Sequence, residues 1–90
     1  MKWEFDFRRV RKQIRALPKE DAMDILRALT PLGDDPRRPD SNIKALSGYT
    51  DRYRLRVGRY RVIYDVVDEQ VIIRMVAVGH RRDIYKNLGR

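Results

Sequence analysis

Residues 53–64 read Tyr53-Arg54-Leu55-Arg56-Val57-Gly58-Arg59-Tyr60-Arg61-Val62-Ile63-Tyr64, and this stretch decides the fold. Apolar and basic side chains alternate on both sides of Gly58-Arg59, which is the period of a strand with one buried face. Gly58-Arg59 fits a two-residue hairpin loop with glycine first, the type II′ preference. That turn opposes Val57 to Tyr60, Leu55 to Val62 and Tyr53 to Tyr64, six apolar or aromatic side chains on one core-facing side. The same register sets Arg56 against Arg61, with Arg54 diagonal to it on the opposite face. Like charges directly opposed destabilise a sheet by tenths to ~1 kcal/mol. A chain tuned for stability alone would carry a threonine or a carboxylate there. The arginine face makes sense if an anion neutralises it; the alternative is a solvated strand face screened by salt.

Beyond the hairpin, a turn around Asp68-Glu69 predicts that Val66 pairs with Val71 and Tyr64 with Ile73, in a third strand over 70–78. Unbroken alternation then puts Arg74 and Val76 on the arginine face, with His80 beyond them and Arg81, Arg82 and Tyr85 at the strand's end. Cations from three separated segments would converge on one concavity. The tail, 80–88, is expected to add a short helical turn.

Toward the N-terminus, Trp3, Phe5 and Phe7 alternate with charged residues as in a half-buried strand. Val10, Ile14 and Leu17 are spaced four and three apart, one stripe of a short basic helix that Pro18 ends. Ala22, Ile25, Leu26 and Leu29 mark a second helix, with Glu20, Asp21 and Asp24 near its N-terminus where the macrodipole favours them. Gly33 to Asn42, with Pro36 and Pro39, reads as a surface loop and the segment expected to be most mobile. The predicted fold is α+β, in the order β-α-α-β-β-β with a short C-terminal helical turn. Its sheet is mainly antiparallel and four-stranded, with both N-terminal helices on one side. Residues 1–90 form a single domain.

The charge balance narrows the partners. Twenty-one basic residues against 13 acidic give a net charge of +8, and 16 of the 21 are arginine. Arginine's planar fork matches phosphate bidentately, whereas lysine is the commoner choice for plain solubility. The absence of cysteine excludes a disulfide framework and thiolate metal sites. No apolar run reaches the ~18 residues of a membrane span, and the first residues lack a secretory signal, so a cytoplasmic protein is expected. There is no Gly-rich phosphate loop, no histidine pair for a metal and no Ser-His-Asp set. Neither a metal nor a cofactor is expected.

Residues 53–64, followed by Val78-Gly79-His80-Arg81-Arg82-Asp83-Ile84-Tyr85, resemble the RelE/ParE superfamily of type II toxins. The resemblance spans nearly the whole chain, including the loop leading to Lys44-Ala45-Leu46-Ser47-Gly48. The RelE branch implies a toxin that cleaves messenger RNA on the ribosome, near the 16S rRNA of the A site, and is held inactive by a cognate antitoxin. Carried over position by position, Arg54 and Arg56 match the two basic residues of the first hairpin strand and Arg61 the arginine of the second. Arg81 matches the arginine after the last strand. Tyr85 matches the tyrosine beyond it, at shorter spacing. ParE-type relatives share the fold but poison DNA gyrase, so a gyrase inhibitor, or a non-catalytic homologue that acts by binding, is the alternative.

The chemistry the resemblance implies is metal-free: a ribose 2′-hydroxyl attacks the adjacent phosphate, leaving a 2′,3′-cyclic phosphate and a 5′-hydroxyl. It needs a base, cations for the phosphorane and an acid for the leaving oxygen. Arg56 and Arg61 suit the phosphorane, and Tyr85 suits a base-stacking role. Where the family site carries lysines, this chain has Arg54 and Arg56, and arginine cannot give up its proton to act as a base. His80, Tyr85 or a ribosomal RNA group remain as the base; for His80 the alternative is a strand-end residue that caps backbone groups. Arg52, Arg59, Arg74, Arg82 and Lys44 are expected to contact RNA around this set. Tyr60 and Tyr64 fall on the apolar face and read as core.

Overall fold

The computed structural model describes residues 2–86. Its elements are β1 (Glu4–Asp6), α1 (Arg11–Arg15), α2 (Lys19–Leu29), β2 (Ile43–Ala45), β3 (Arg52–Val57), β4 (Tyr60–Val67) and β5 (Ile72–His80). Short 3-10 turns precede α1, follow α2 and join β4 to β5, and another lies at Ile84–Lys86. The predicted helical tail therefore exists as one turn; residues 87 and 88 of that expectation lie outside the described residues. The α+β class holds, and among the described residues the sheet has five strands rather than four, in the order β1-β5-β4-β3-β2. The strand added is β2. Its three residues are too few to show a period, and the sequence reads there as loop.

β1 runs parallel to β5 and every other pairing is antiparallel. The hairpin follows the predicted register, with Val57 opposite Tyr60, Leu55 opposite Val62, Tyr53 opposite Tyr64 and Arg56 opposite Arg61. Gly58 has φ of 57° while Arg59 stays at negative φ, as a type II′ loop requires.

The β4–β5 turn departs from expectation in two ways. Val66 pairs with Ile73 and Tyr64 with Met75, because residues 68–70 form a 3-10 turn and Val71 (φ 53°) is left-handed, which lengthens the connection by two residues. Then a β-bulge intervenes. Tyr64 pairs with Met75 but Ile63 pairs with Ala77, so Val76 is an extra residue with no partner on β4. Beyond it the parity of β5 is inverted. Ala77 and Gly79 share the face of Arg61, while Val78 and His80 turn toward the core side.

Both helices cover that core side. Val10, Ile25, Leu29 and Leu32 meet Leu55, Val62, Tyr64, Val66, Ile73, Met75 and Val78, with Trp3, Phe5, Phe7, Ile14 and Leu17 packed around them. The spacing of the sequence assigned nearly all of these, although Leu26 remains 40% exposed. Tyr64 is fully buried and donates to the Pro36 carbonyl at 3.0 Å, so its hydroxyl is satisfied. That bond ties down the 33–42 connection read as mobile. Arg37 ties it further, donating to both Asp68 oxygens (3.0 and 2.8 Å), to Asp51 (3.0 Å) and to the Tyr53 hydroxyl (2.9 Å).

Candidate functional site

The face away from the helices divides into rows that run across the strands. One row contains Asp6, Arg74, Asp65 and Arg52 in direct register. Arg52 grips Asp65 with both ends of its fork (2.7 and 2.9 Å), and its guanidinium lies 4.7 Å from the Tyr49 ring centre. Asp6 is held by Arg8 at 3.0 and 2.7 Å. The hydrogen bonds from Arg8, with a smaller attraction from Arg74, hold its carboxyl far below the usual carboxylate range. Charge alternates along this row and is satisfied.

The next two rows differ. In one, Lys44, Arg54, Ile63 and Ala77 follow each other across β2, β3, β4 and β5; in the other Arg56, Arg61 and Gly79 do so. Among the described residues no ion pair reaches Arg54, Arg56, Arg61 or Arg81. Burial, and then the positive charge of Arg54, Arg56 and Arg81, pull the Arg61 pKa below the ordinary arginine value, with Tyr85 opposing. Arg54, Arg56, Arg81 and Tyr85 thus lie near enough to Arg61 to act on its charge, and Arg56 stands directly opposite it. Arg61 settles its Nη1 on the Gly58 and Tyr60 carbonyls, at 3.1 and 3.0 Å. The Arg54 Nε is buried with no hydrogen-bond partner, a condition that ordinarily costs ~1–3 kcal/mol. A site with an orphaned donor and mutually repelling guanidiniums gains from an incoming oxyanion.

The C-terminal turn completes this place. The Arg81 N–H donates to the Arg59 carbonyl (2.8 Å), which fastens the chain to the tip of the hairpin. Ile84 is 5% exposed, and its Cδ1 lies 3.4 Å from where a Gly79 Cβ would stand. Ile84 thus lies over the arginine face, where the fully buried Ile63 also belongs, both outside the main core. Tyr85 follows, 46% exposed.

Other expected site residues lie elsewhere. His80 is not on the arginine face. The bulge at Val76 turns it to the core side, where its ring meets Tyr60 edge-on at 6.3 Å and Nδ1 accepts the Arg82 N–H at 3.2 Å. This is the capping geometry of its alternative reading. Arg52 and Arg74 belong to the balanced row, so they stand apart from the cluster. Arg59 sits at the hairpin tip on the helix side and shares a shallow cleft with Asp21 and Asp24. Arg82 is exposed near the C-terminal turn. Lys44 was read as a loop residue, yet β2 sets it directly opposite Arg54. Ile63, Gly79 and Ile84 were not singled out, because what buries them is the C-terminal turn folding back, and no local pattern signals that. Among the described residues no cluster of potential ligands could hold a metal ion, and no helix is long and apolar enough to cross a membrane.

A helix pair on one side of a sheet, with unpaired arginines gathered on the other, defines a type II toxin of RelE-like architecture. The structure resembles the archaeal RelE–RelB complex from Pyrococcus horikoshii (TM-score 0.75, 29% identity, 90% of this chain and 97% of that one). It also resembles the isolated Escherichia coli RelE toxin (TM-score 0.71, 29% identity, 87% and 81%). In sequence it is 33% identical over 90 residues to a RelE-like toxin protein of Escherichia coli, covering 94% of this chain and 92% of the relative. Toxin RelE1 of Methanocaldococcus jannaschii is 31% identical over 81 residues, 89% of this chain and 90% of the relative. The family model for the ParE toxin of type II toxin-antitoxin system, parDE, matches residues 4–85. The chain belongs to this family, within the RelE/ParE superfamily.

Proposed function

We propose that this toxin is an endoribonuclease that cleaves messenger RNA on the ribosome by attack of a ribose 2′-hydroxyl, without a metal, and that a cognate antitoxin silences it. The observation that carries the reading is the convergence of Arg54, Arg56, Arg61 and Arg81, none of them in an ion pair among the described residues. Guanidinium forks from adjacent strands match the equatorial oxygens of a phosphorane, and their placement is set before substrate arrives. Tyr85, exposed at the rim, offers a stacking surface for an unpaired base.

With His80 on the other face, the proton acceptor for the 2′-hydroxyl is Tyr85 or a group of the ribosomal RNA. Dependence on the ribosome would follow from a chain whose own cations cannot act as bases. The antitoxin reading rests on relatives solved as RelE–RelB complexes, including those from Pyrococcus horikoshii and Escherichia coli. An acidic segment would neutralise the same rows that RNA occupies.

Primer extension on a message translated in vitro tests the proposal. Wild type should produce codon-placed cuts, Arg61→Ala should not, and deoxyribose at the cut position should abolish cleavage. Cutting of the deoxyribose substrate would exclude the mechanism. The match to the ParE family model favours one second reading, inhibition of DNA gyrase. A supercoiling assay with purified gyrase decides it.

A further inference from the structure

Arg56 poses a positional problem. It is exposed, it faces Arg61 directly, and among the described residues no carboxylate holds it. A flexible side chain beside like charges swings toward solvent unless something restrains it. The restraint comes from Asn42. Extending the β2–β3 register by one residue sets Asn42 opposite Arg56, and Asn42 meets it twice. Its carbonyl accepts the Arg56 backbone N–H at 2.9 Å, and its side-chain Oδ1 accepts Arg56 Nε–H at 3.2 Å. Asn42 is itself fixed by an Asx turn, since Asp40 Oδ1 accepts its N–H at 2.8 Å and the Asp40 carbonyl accepts that of Ile43 at 3.0 Å.

Asp65 does the corresponding work for Arg52 in the balanced row, with a carboxylate that cancels the charge it holds. An amide orients a guanidinium without cancelling it. We infer that Asn42 is a positioning residue that aims Arg56 at the scissile phosphate while keeping the site fully cationic. With Nε spent on the amide, both terminal nitrogens of Arg56 remain for the phosphoryl oxygens. This inference rests on the nuclease reading of the same face, and it identifies a residue of the short β2 edge as part of the machinery.

Three proteins test it: wild type, Asn42→Ala and Asn42→Asp, each assayed for ribosome-dependent cleavage, thermal midpoint and affinity for a non-cleavable 2′-O-methyl RNA. Asn42→Ala should lower kcat about tenfold, short of the ~100-fold that a 1 Å misplacement can cost, with KM changed less than about twofold. Asn42→Asp should leave the thermal midpoint unchanged or higher, yet lower cleavage by about 10²-fold and weaken RNA binding. A purely structural Asn42 would lose stability and activity together, and its Asn42→Asp variant would bind the 2′-O-methyl RNA as wild type does. Wild-type cleavage by both variants would overturn the inference and leave the nuclease reading intact. If wild type does not cut, but Asn42→Asp still weakens the 2′-O-methyl complex, the nuclease reading falls and the aiming of Arg56 at phosphate stands.

Discussion

Neighbouring rows on one sheet face treat arginine in opposite ways. In the row of Asp6, Arg74, Asp65 and Arg52, every cation has an acid beside it, and the Arg52–Asp65 pair is mostly shielded from water (19% and 15% exposed). In the next two rows along the same strands, Arg54 carries a buried donor with no acceptor and Arg56 faces Arg61. The backbone, the strands and the solvent-facing side are the same for both. What differs is whether the folded chain completes the electrostatics by itself. The first row works for stability. The open rows give up stability, and under the proposed function what they gain is an affinity for phosphate that a self-paired surface lacks.

The sharpest way to break this contrast is to delete a cation from the open row. Arg61→Ala should reduce cleavage by about 10²- to 10³-fold. Unfolding in urea should show stability within about 1 kcal/mol of wild type, because the residue lost was repelled by its neighbours. A large loss of stability would mean that the two rows are built alike. Arg52→Ala is the mirror experiment. It leaves Asp65 half-buried and unpaired, and should cost about 1–3 kcal/mol in urea while cleavage by the folded fraction stays near wild type.

Salt titration separates the rows more finely. Four phosphate contacts on single-stranded RNA predict a slope of log affinity against log salt of about −2.8, at ~0.7 for each contact. Arg61→Ala should flatten that slope by about 0.7 and Arg52→Ala should leave it unchanged. The smallest effect is on pH. Hydrogen bonds from Arg8 and Arg37 depress the carboxyl pKa of Asp6 and Asp68 below the ordinary range. Their contribution is therefore fully present above the unfolded pKa of ~4 and is lost as pH falls below it. The thermal midpoint should drop from pH 4 downward, and Asp68→Asn should shrink that drop.

The hairpin was legible because its signals are local and agree with one another. Gly58 fixes the turn, alternation fixes the faces, and the opposition of Arg56 and Arg61 follows from those two alone. The core was legible for the same reason, through Val10, Ile14 and Leu17 and then Ile25 and Leu29. What stayed hidden depends on contacts between distant segments. β2 is three residues whose strand character comes only from pairing with β3, and Asn42 and Lys44 enter the site with it. His80 was misplaced because one inserted residue, Val76, reverses the parity of everything after it. The pairing of Arg52 depends on Asp65, thirteen positions away, which no local pattern signals.

The bulge at Val76 also gives β5 a spare residue. Loss of its codon would let Ala77 follow Met75 directly, still opposite Ile63, so Val78 would stay in the core and His80 beside Tyr60. An added codon finds no such slack: it must be housed as a second bulge, or it turns every later side chain to the other face. The strand is thus more forgiving of shortening than of lengthening.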